Sequence, residues 1–194
     1  MRKGFTLIEL MLVVAIIAAI AIPNLMRSRM AANEATTVAA CKTFAEAEDI
    51  YRRTDWNGDG ILEYARSVTG SYSLYERTAG AADLQLVDAA FAGATCANTA
   101  PTSCTAPKTG YSYWVLTGQG VGAPGGSKSY VVGGRVTLGY GLSAVPYSYD
   151  ATGRSSFQIN NSGTVYQADR LTSNTAHVNT YDLTANGCKW TQTE

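Results

Sequence analysis

The stretch Gly4-Phe5-Thr6-Leu7-Ile8-Glu9 opens an apolar run, Leu10-Met11-Leu12-Val13-Val14-Ala15-Ile16-Ile17-Ala18-Ala19-Ile20-Ala21-Ile22, that ends at Pro23 and carries one carboxylate, Glu9. As a helix, residues 5–22 span about 27 Å, close to the ~30 Å hydrocarbon core of a bilayer. A carboxylate inside such a segment is costly, so it is read by default as functional and paired. Cutting the chain between Gly4 and Phe5 would create an α-amino group one helical turn from Glu9, on the same face. Glu9 can then neutralise that amine in its own chain or in a neighbour's.

Two plainer readings compete. An ordinary secretory signal would use Arg2 and Lys3 as its basic start and Ala19-Ile20-Ala21 as a small-x-small cleavage site. Glu9 sits badly in the apolar part of such a signal, and that cleavage would leave Pro23 second in the mature chain. A membrane anchor without assembly is compatible with the length of the run.

The same residues resemble the class III signal of type IV pilins and of the related pseudopilins of type II secretion. In that signature a short basic leader ends in Gly, here Met1-Arg2-Lys3-Gly4, and Phe5-Thr6-Leu7-Ile8-Glu9 and an apolar helix come next. The likeness is close over residues 1–26 and architectural beyond them. It implies a leader, residues 1–4, removed by a prepilin peptidase between Gly4 and Phe5, and N-methylation of Phe5. It further implies a transmembrane and filament-core helix over residues 5–27, with Glu9 setting the register of each subunit, and a pilin-like head over residues 28–194. The fold expected is α+β: a long N-terminal helix, transmembrane in its first half and kinked at Pro23, packed on an antiparallel β-sheet.

The implied function is that of a structural filament subunit, pilus or pseudopilus, with no enzymatic activity; the alternative is a minor subunit acting as adhesin, priming or binding component. Its partners would be other copies of itself or related pilins, the prepilin peptidase, the assembly machinery and inner-membrane lipid. Its location would be the inner membrane as a single-pass precursor, then a periplasmic or cell-surface filament. One departure from the pattern is the segment between Glu9 and Pro23, which is about three residues short and lacks the family's Gly. Three fewer residues shorten a helix by about 4.5 Å and rotate its remaining turns by about 60°.

With 194 residues, 46% of them hydrophobic, the chain has enough apolar material for one anchor and one head with its own core. Basic and acidic residues number 15 each, so the chain has no global electrostatic reason to bind nucleic acid. Four cysteines, Cys41, Cys96, Cys104 and Cys188, in an exported chain point to two disulfides, and three pairings are open. Cys96–Cys104 closes the shortest loop, which leaves Cys41–Cys188 to tie the tail back to the helix. The cysteine spacing matches no zinc pattern, and one histidine, His177, cannot make a His-rich site.

After Pro23 helical spacing resumes to about Tyr51, with Val38, Cys41 and Ala45 as a stripe that can pack on a sheet and Lys42, Glu46 and Asp49 elsewhere around it. Asp55-Trp56-Asn57-Gly58-Asp59-Gly60-Ile61-Leu62-Glu63 then reads D-x-N-x-D-G, the opening of an EF-hand-type calcium loop. Asp55, Asn57 and Asp59 would aim oxygens at one centre, Gly60 would make the sharp turn and Ile61 would offer its carbonyl. The position of the bidentate Glu holds Arg66, so Glu63 would have to serve. The competing reading is an Asx-rich turn. No cofactor is certain; calcium is the one candidate.

Residues 79–91 are expected to form one helix, with Leu84, Val87 and Phe91 at helical spacing, and residues 67–107 to carry what is particular to this subunit. Strands are expected at 111–116, 129–132, 135–140 and 156–159, with a hairpin through Asn160-Asn161-Ser162-Gly163 into 164–167. Gly118-Gln119-Gly120-Val121-Gly122 comes after a strand but opens no helix, so it reads as a strand connection rather than a phosphate loop. No G-x-S-x-G elbow or comparable constellation orders the Ser, His and Asp residues for catalysis.

Overall fold

The structure is a computed structural model that describes residues 6–76, 84–96, 106–171, 180–184 and 187–193. One helix, α1 (Leu7–Tyr51), is 45 residues long, about 68 Å, and continues through Pro23. Its N-terminus is fixed by a capping box: Thr6 is the N-cap, and Glu9, three residues on, reaches back to it. From Leu7 to Met26 the apolar side chains are exposed, and the buried face begins at Thr37. From there Ala40, Cys41, Phe44, Ala45, Ala47, Glu48 and Tyr51 recur every three or four residues and face the head, while Lys42, Glu46 and Asp49 lie off that stripe. Val38 packs against the core from its margin. The arrangement is α+β, a long helix on an antiparallel sheet.

A second helix, α2 (Ala89–Ala94), is six residues long. The longer helix expected over 79–91 is not formed in its described part. Gln85 bridges to Tyr75, and the Asp88 side chain accepts from the Phe91 N–H at 2.8 Å, so the helix starts after Asp88. Residues 79–83 lie outside the described residues.

The strands are β1 (Tyr111–Leu116), β2 (Gly118–Gln119), β3 (Lys128–Ser129), β4 (Val131–Val132), β5 (Arg135–Val136), β6 (Gly141–Pro146), β7 (Ser155–Asn160), β8 (Tyr166–Asp169) and β9 (Thr191–Gln192). Five of them form an antiparallel sheet in the order β1-β6-β7-β8-β9. The expected strand over 129–132 is divided at Tyr130 between β3 and β4, and that over 135–140 ends at Val136. The hairpin through 160–163 is made, with Gly163 at φ 74° donating to the Asn160 carbonyl at 2.9 Å, but its second strand starts two residues later than expected, at Tyr166. Central strand β6, Gly-Leu-Ser-Ala-Val-Pro, was not among the expected strands; its small residues let it lie between β1 and β7, and Pro146 is tolerated because it ends the strand.

Alternation gives the sheet two faces. Tyr111, Tyr113, Val115, Leu142, Ala144, Phe157 and Ile159 meet α1 in one core with Phe44 and Tyr51. The other face is also buried: Cys96 packs on Trp114 and Val145, and Tyr181 and Ala123 pack on Leu116. The glycines of residues 118–122 serve this second layer. A Cβ on Gly120 would fall 2.0 Å from Asp182 Oδ2 and one on Gly122 2.3 Å from Asp182 Oδ1, so the glycines let the Asp182 side chain lie directly on this backbone.

Candidate functional site

The signal lies at the exposed end of α1. Gly4 and Phe5 are outside the described residues. Thr6 and Glu9 are described, and they meet: the Thr6 N–H and hydroxyl both donate to Glu9 Oε2 at 2.8 Å, and the Glu9 N–H donates to Thr6 Oγ1 at 3.3 Å. Glu9 Oε1 makes no hydrogen bond to a described residue. The carboxylate thus satisfies the start of the helix with one oxygen and leaves the other exposed. Behind it, α1 is the one helix among the described residues that is long and apolar enough to cross a membrane, and none of its most apolar window is buried against the head.

The second place to which the sequence points is the loop after α1. Asp55 Oδ1 accepts from the Gly58 N–H at 2.8 Å and Asp55 Oδ2 from the Gly60 N–H at 2.7 Å, while Asp59 Oδ1 accepts from the Ile61 N–H at 2.9 Å. Gly58 and Gly60 take φ of 71° and 82°, the left-handed turn that the pattern demands. Asn57 Nδ2 donates to Asp59 Oδ2 at 3.0 Å and to Glu63 Oε1 at 2.8 Å, so Asp55, Asn57, Asp59 and Glu63 are gathered.

Arg135 reaches the same loop: its Nε and Nη2 both donate to Asp59 Oδ2, at 2.9 and 2.6 Å. These bonds hold the Asp59 carboxyl below the usual carboxylate range. Among the described residues no group of three or more His, Cys, Asp and Glu is placed to hold a metal ion. Arg66, at the position of the missing bidentate Glu, points a guanidinium at Glu63, 3.9 Å away.

Beneath this loop sequence reasoning missed a buried acid. Glu48 has no exposed surface; its Oε2 accepts from the Ala65 N–H at 2.9 Å, and its Oε1 has no partner among the described residues. Burial pushes its carboxyl well above the ordinary range, and the neighbouring Asp49 adds to the shift. A Glu at position 48 falls on the buried stripe of α1, which was the available signal.

The cysteines divide differently from expectation. Cys96 is disulfide-bonded, and Cys104 lies outside the described residues. The bridge expected between Cys41 and Cys188 is not made; both are thiols. Cys41 is fully buried between α1 and the sheet, its thiol pushed up to about 12 by desolvation. Cys188 is half-buried beside Arg170, where β8 ends.

A family model described as the prokaryotic N-terminal methylation motif matches residues 1–23, and a second model matches residues 19–192. The first is the class III prepilin signal of type IV pilins and pseudopilins. It supports an inner-membrane-anchored precursor processed by a prepilin peptidase. No curated protein and no solved structure matches the chain. The second match covers most of the chain, which therefore belongs to the family described as protein of unknown function (DUF2950), here carried behind a prepilin-type signal.

Proposed function

We propose that the chain is a structural subunit of a type IV pilus or pseudopilus-like filament, assembled from the inner membrane through α1, rather than a catalyst. The observation that carries this is the junction of a prepilin signal with a helix that exposes every large apolar side chain from Leu7 to Met26. In a monomer those side chains need lipid; in a filament they cover one another, and the same surface serves both states. Glu9, with one carboxylate oxygen left over from capping, would fix axial register by meeting the Phe5 amine of a neighbour. The head would form the filament's outer surface.

Intact-mass analysis of the exported protein tests the first step. Loss of residues 1–4 with gain of one methyl group is expected. A mature terminus at Ile22 would replace this function with that of a secreted head. Sheared cell-surface fractions then separate a major subunit, which dominates them, from a minor adhesin or priming subunit, which is rare.

A further inference from the structure

We propose that the end of the head nearest the apolar half of α1, formed by residues 147–154 with Leu171 and by Arg27 and Arg29 of the helix, is a seat for the anionic phospholipid headgroups of the bilayer that anchors the chain. The inference rests on the inner-membrane anchoring described above and adds a partner for the head itself.

Axial position comes first. The exposed apolar stretch from Leu7 to Met26 is about 30 Å long as helix, enough to fill the hydrocarbon core. Among the described residues Asn33 is the first of α1 to hydrogen-bond the head, its Nδ2 donating to the Thr152 carbonyl at 2.9 Å. Glu34 is next, its Oε1 accepting from the N–H groups of Arg154 and Ser155 at 2.9 and 3.0 Å. Met26 and Asn33 are about 10 Å apart along the axis, little more than the ~5–8 Å headgroup layer of one leaflet.

The loop closes that gap. Arg154, bonded to Asp150 at 2.6 Å, holds the Asp150 carboxyl below the usual range, and Arg27 contributes in the same direction. Thr152 and Arg154 are bonded to α1 at Asn33 and Glu34, so their loop lies against the helix about two turns beyond Met26. With α1 spanning the bilayer, residues 147–154 stand within the headgroup layer.

The chemistry displayed there suits that layer. Tyr147 is 40% exposed and Leu171 75% exposed. Ser155 pairs with Asp169, so Leu171 leaves β8 beside residues 153–154, at the same end of the sheet. Leu171 is held at φ 52°, uncommon for a leucine, by an N–H bond to Asp169 Oδ1 at 3.0 Å. Arg27, Arg29 and Arg154 are exposed, and the three nearby acids are engaged, Asp150 by Arg154, Asp169 by the Tyr149 hydroxyl at 3.0 Å and Glu34 by the Arg154 and Ser155 N–H groups. An aromatic ring, an aliphatic side chain and exposed arginines at one end of the head match the interfacial anchors of membrane proteins and the pull of anionic lipid on basic residues. The opposite end of the head, where Arg135 meets Asp59, has no such relation to the span.

The test uses the mature full-length chain in phosphatidylcholine vesicles with or without phosphatidylglycerol. The photo-crosslinker p-benzoylphenylalanine replaces Tyr147, Leu171 or, as control at the far end, the exposed Leu62. Illumination should give lipid adducts at Tyr147 and Leu171, more with phosphatidylglycerol, and none at Leu62. Arg27→Gln and Arg29→Gln should each lower the yield roughly fivefold, the equivalent of about 1 kcal/mol per basic residue near an anionic surface. Adducts to a second copy of the chain in place of lipid would overturn the inference, as would yields indifferent to phosphatidylglycerol or no adduct on a chain that co-floats with the vesicles. A chain that does not co-float overturns the anchoring itself.

Discussion

Thr6 and Glu9 hold each other across the first turn of α1, and they use one carboxylate oxygen to do it: both Thr6 donors reach Glu9 Oε2, leaving Oε1 without a bond to any described residue. Capping and assembly are therefore separable. Glu9→Gln should keep the cap, because an amide oxygen accepts from Thr6 as the carboxylate does, and lose the charge for a neighbour's amine. Thr6→Val should weaken the cap by about 1 kcal/mol and keep the charge. Processing and membrane insertion should survive both substitutions, while filament in sheared fractions should fall for Glu9→Gln and Glu9→Ala and persist for Thr6→Val. Normal filament from Glu9→Ala cells would remove the ion pair from the mechanism.

Glu48 gives the head an unusual dependence on pH. Its folded-state pKa is raised above that of the unfolded chain, so its contribution is fully present below the unfolded pKa and is lost as pH rises through the folded one. Between those limits stability should fall by up to about 1.4 kcal/mol per pH unit from this group. Denaturant midpoints measured from the ordinary carboxylate range upward should decline in the wild type relative to Glu48→Gln, whose amide oxygen still accepts from Ala65. Parallel pH profiles would show that Glu48 ionises without penalty.

For the cysteines, alkylation of the native protein and then non-reducing peptide mapping should label Cys188 and spare Cys41, whose thiol is buried and pushed up to about 12. Mapping should find Cys96 joined to Cys104, the pairing we propose for the bonded Cys96. Cys41→Ser should cost about 1–3 kcal/mol by placing a hydroxyl in the core. A Cys41–Cys188 peptide would contradict the arrangement described.

The loop over 55–63 makes a test of guanidinium against metal. Arg135→Ala should lower the melting temperature, and Arg135→Lys should restore little of it, because an ammonium cannot reproduce the two N–H bonds to Asp59. Millimolar calcium is expected to leave the wild-type melting temperature unchanged while Arg135 holds Asp59. A calcium-dependent rise that Asp59→Ala abolishes would mean that the metal displaces the arginine.

The sequence by itself determined the parts of this protein set by neighbours in the chain. The prepilin signal, the single long helix, the register of its buried stripe through Cys41 and Ala45, strand β1 and the Asx turns of residues 55–60 all come from spacings of a few residues. Only the tertiary structure decided what joins distant segments. Strand β6 lacks β-forming side chains at most of its positions and is a strand because β1 and β7 flank it. Arg135 reaches Asp59 across 76 residues, and no local pattern announces that pairing. Cysteine pairing, too, was open to counting and was decided by the fold: Cys41 is buried in the core between helix and sheet, while Cys188 stands half-buried beside Arg170 after β8.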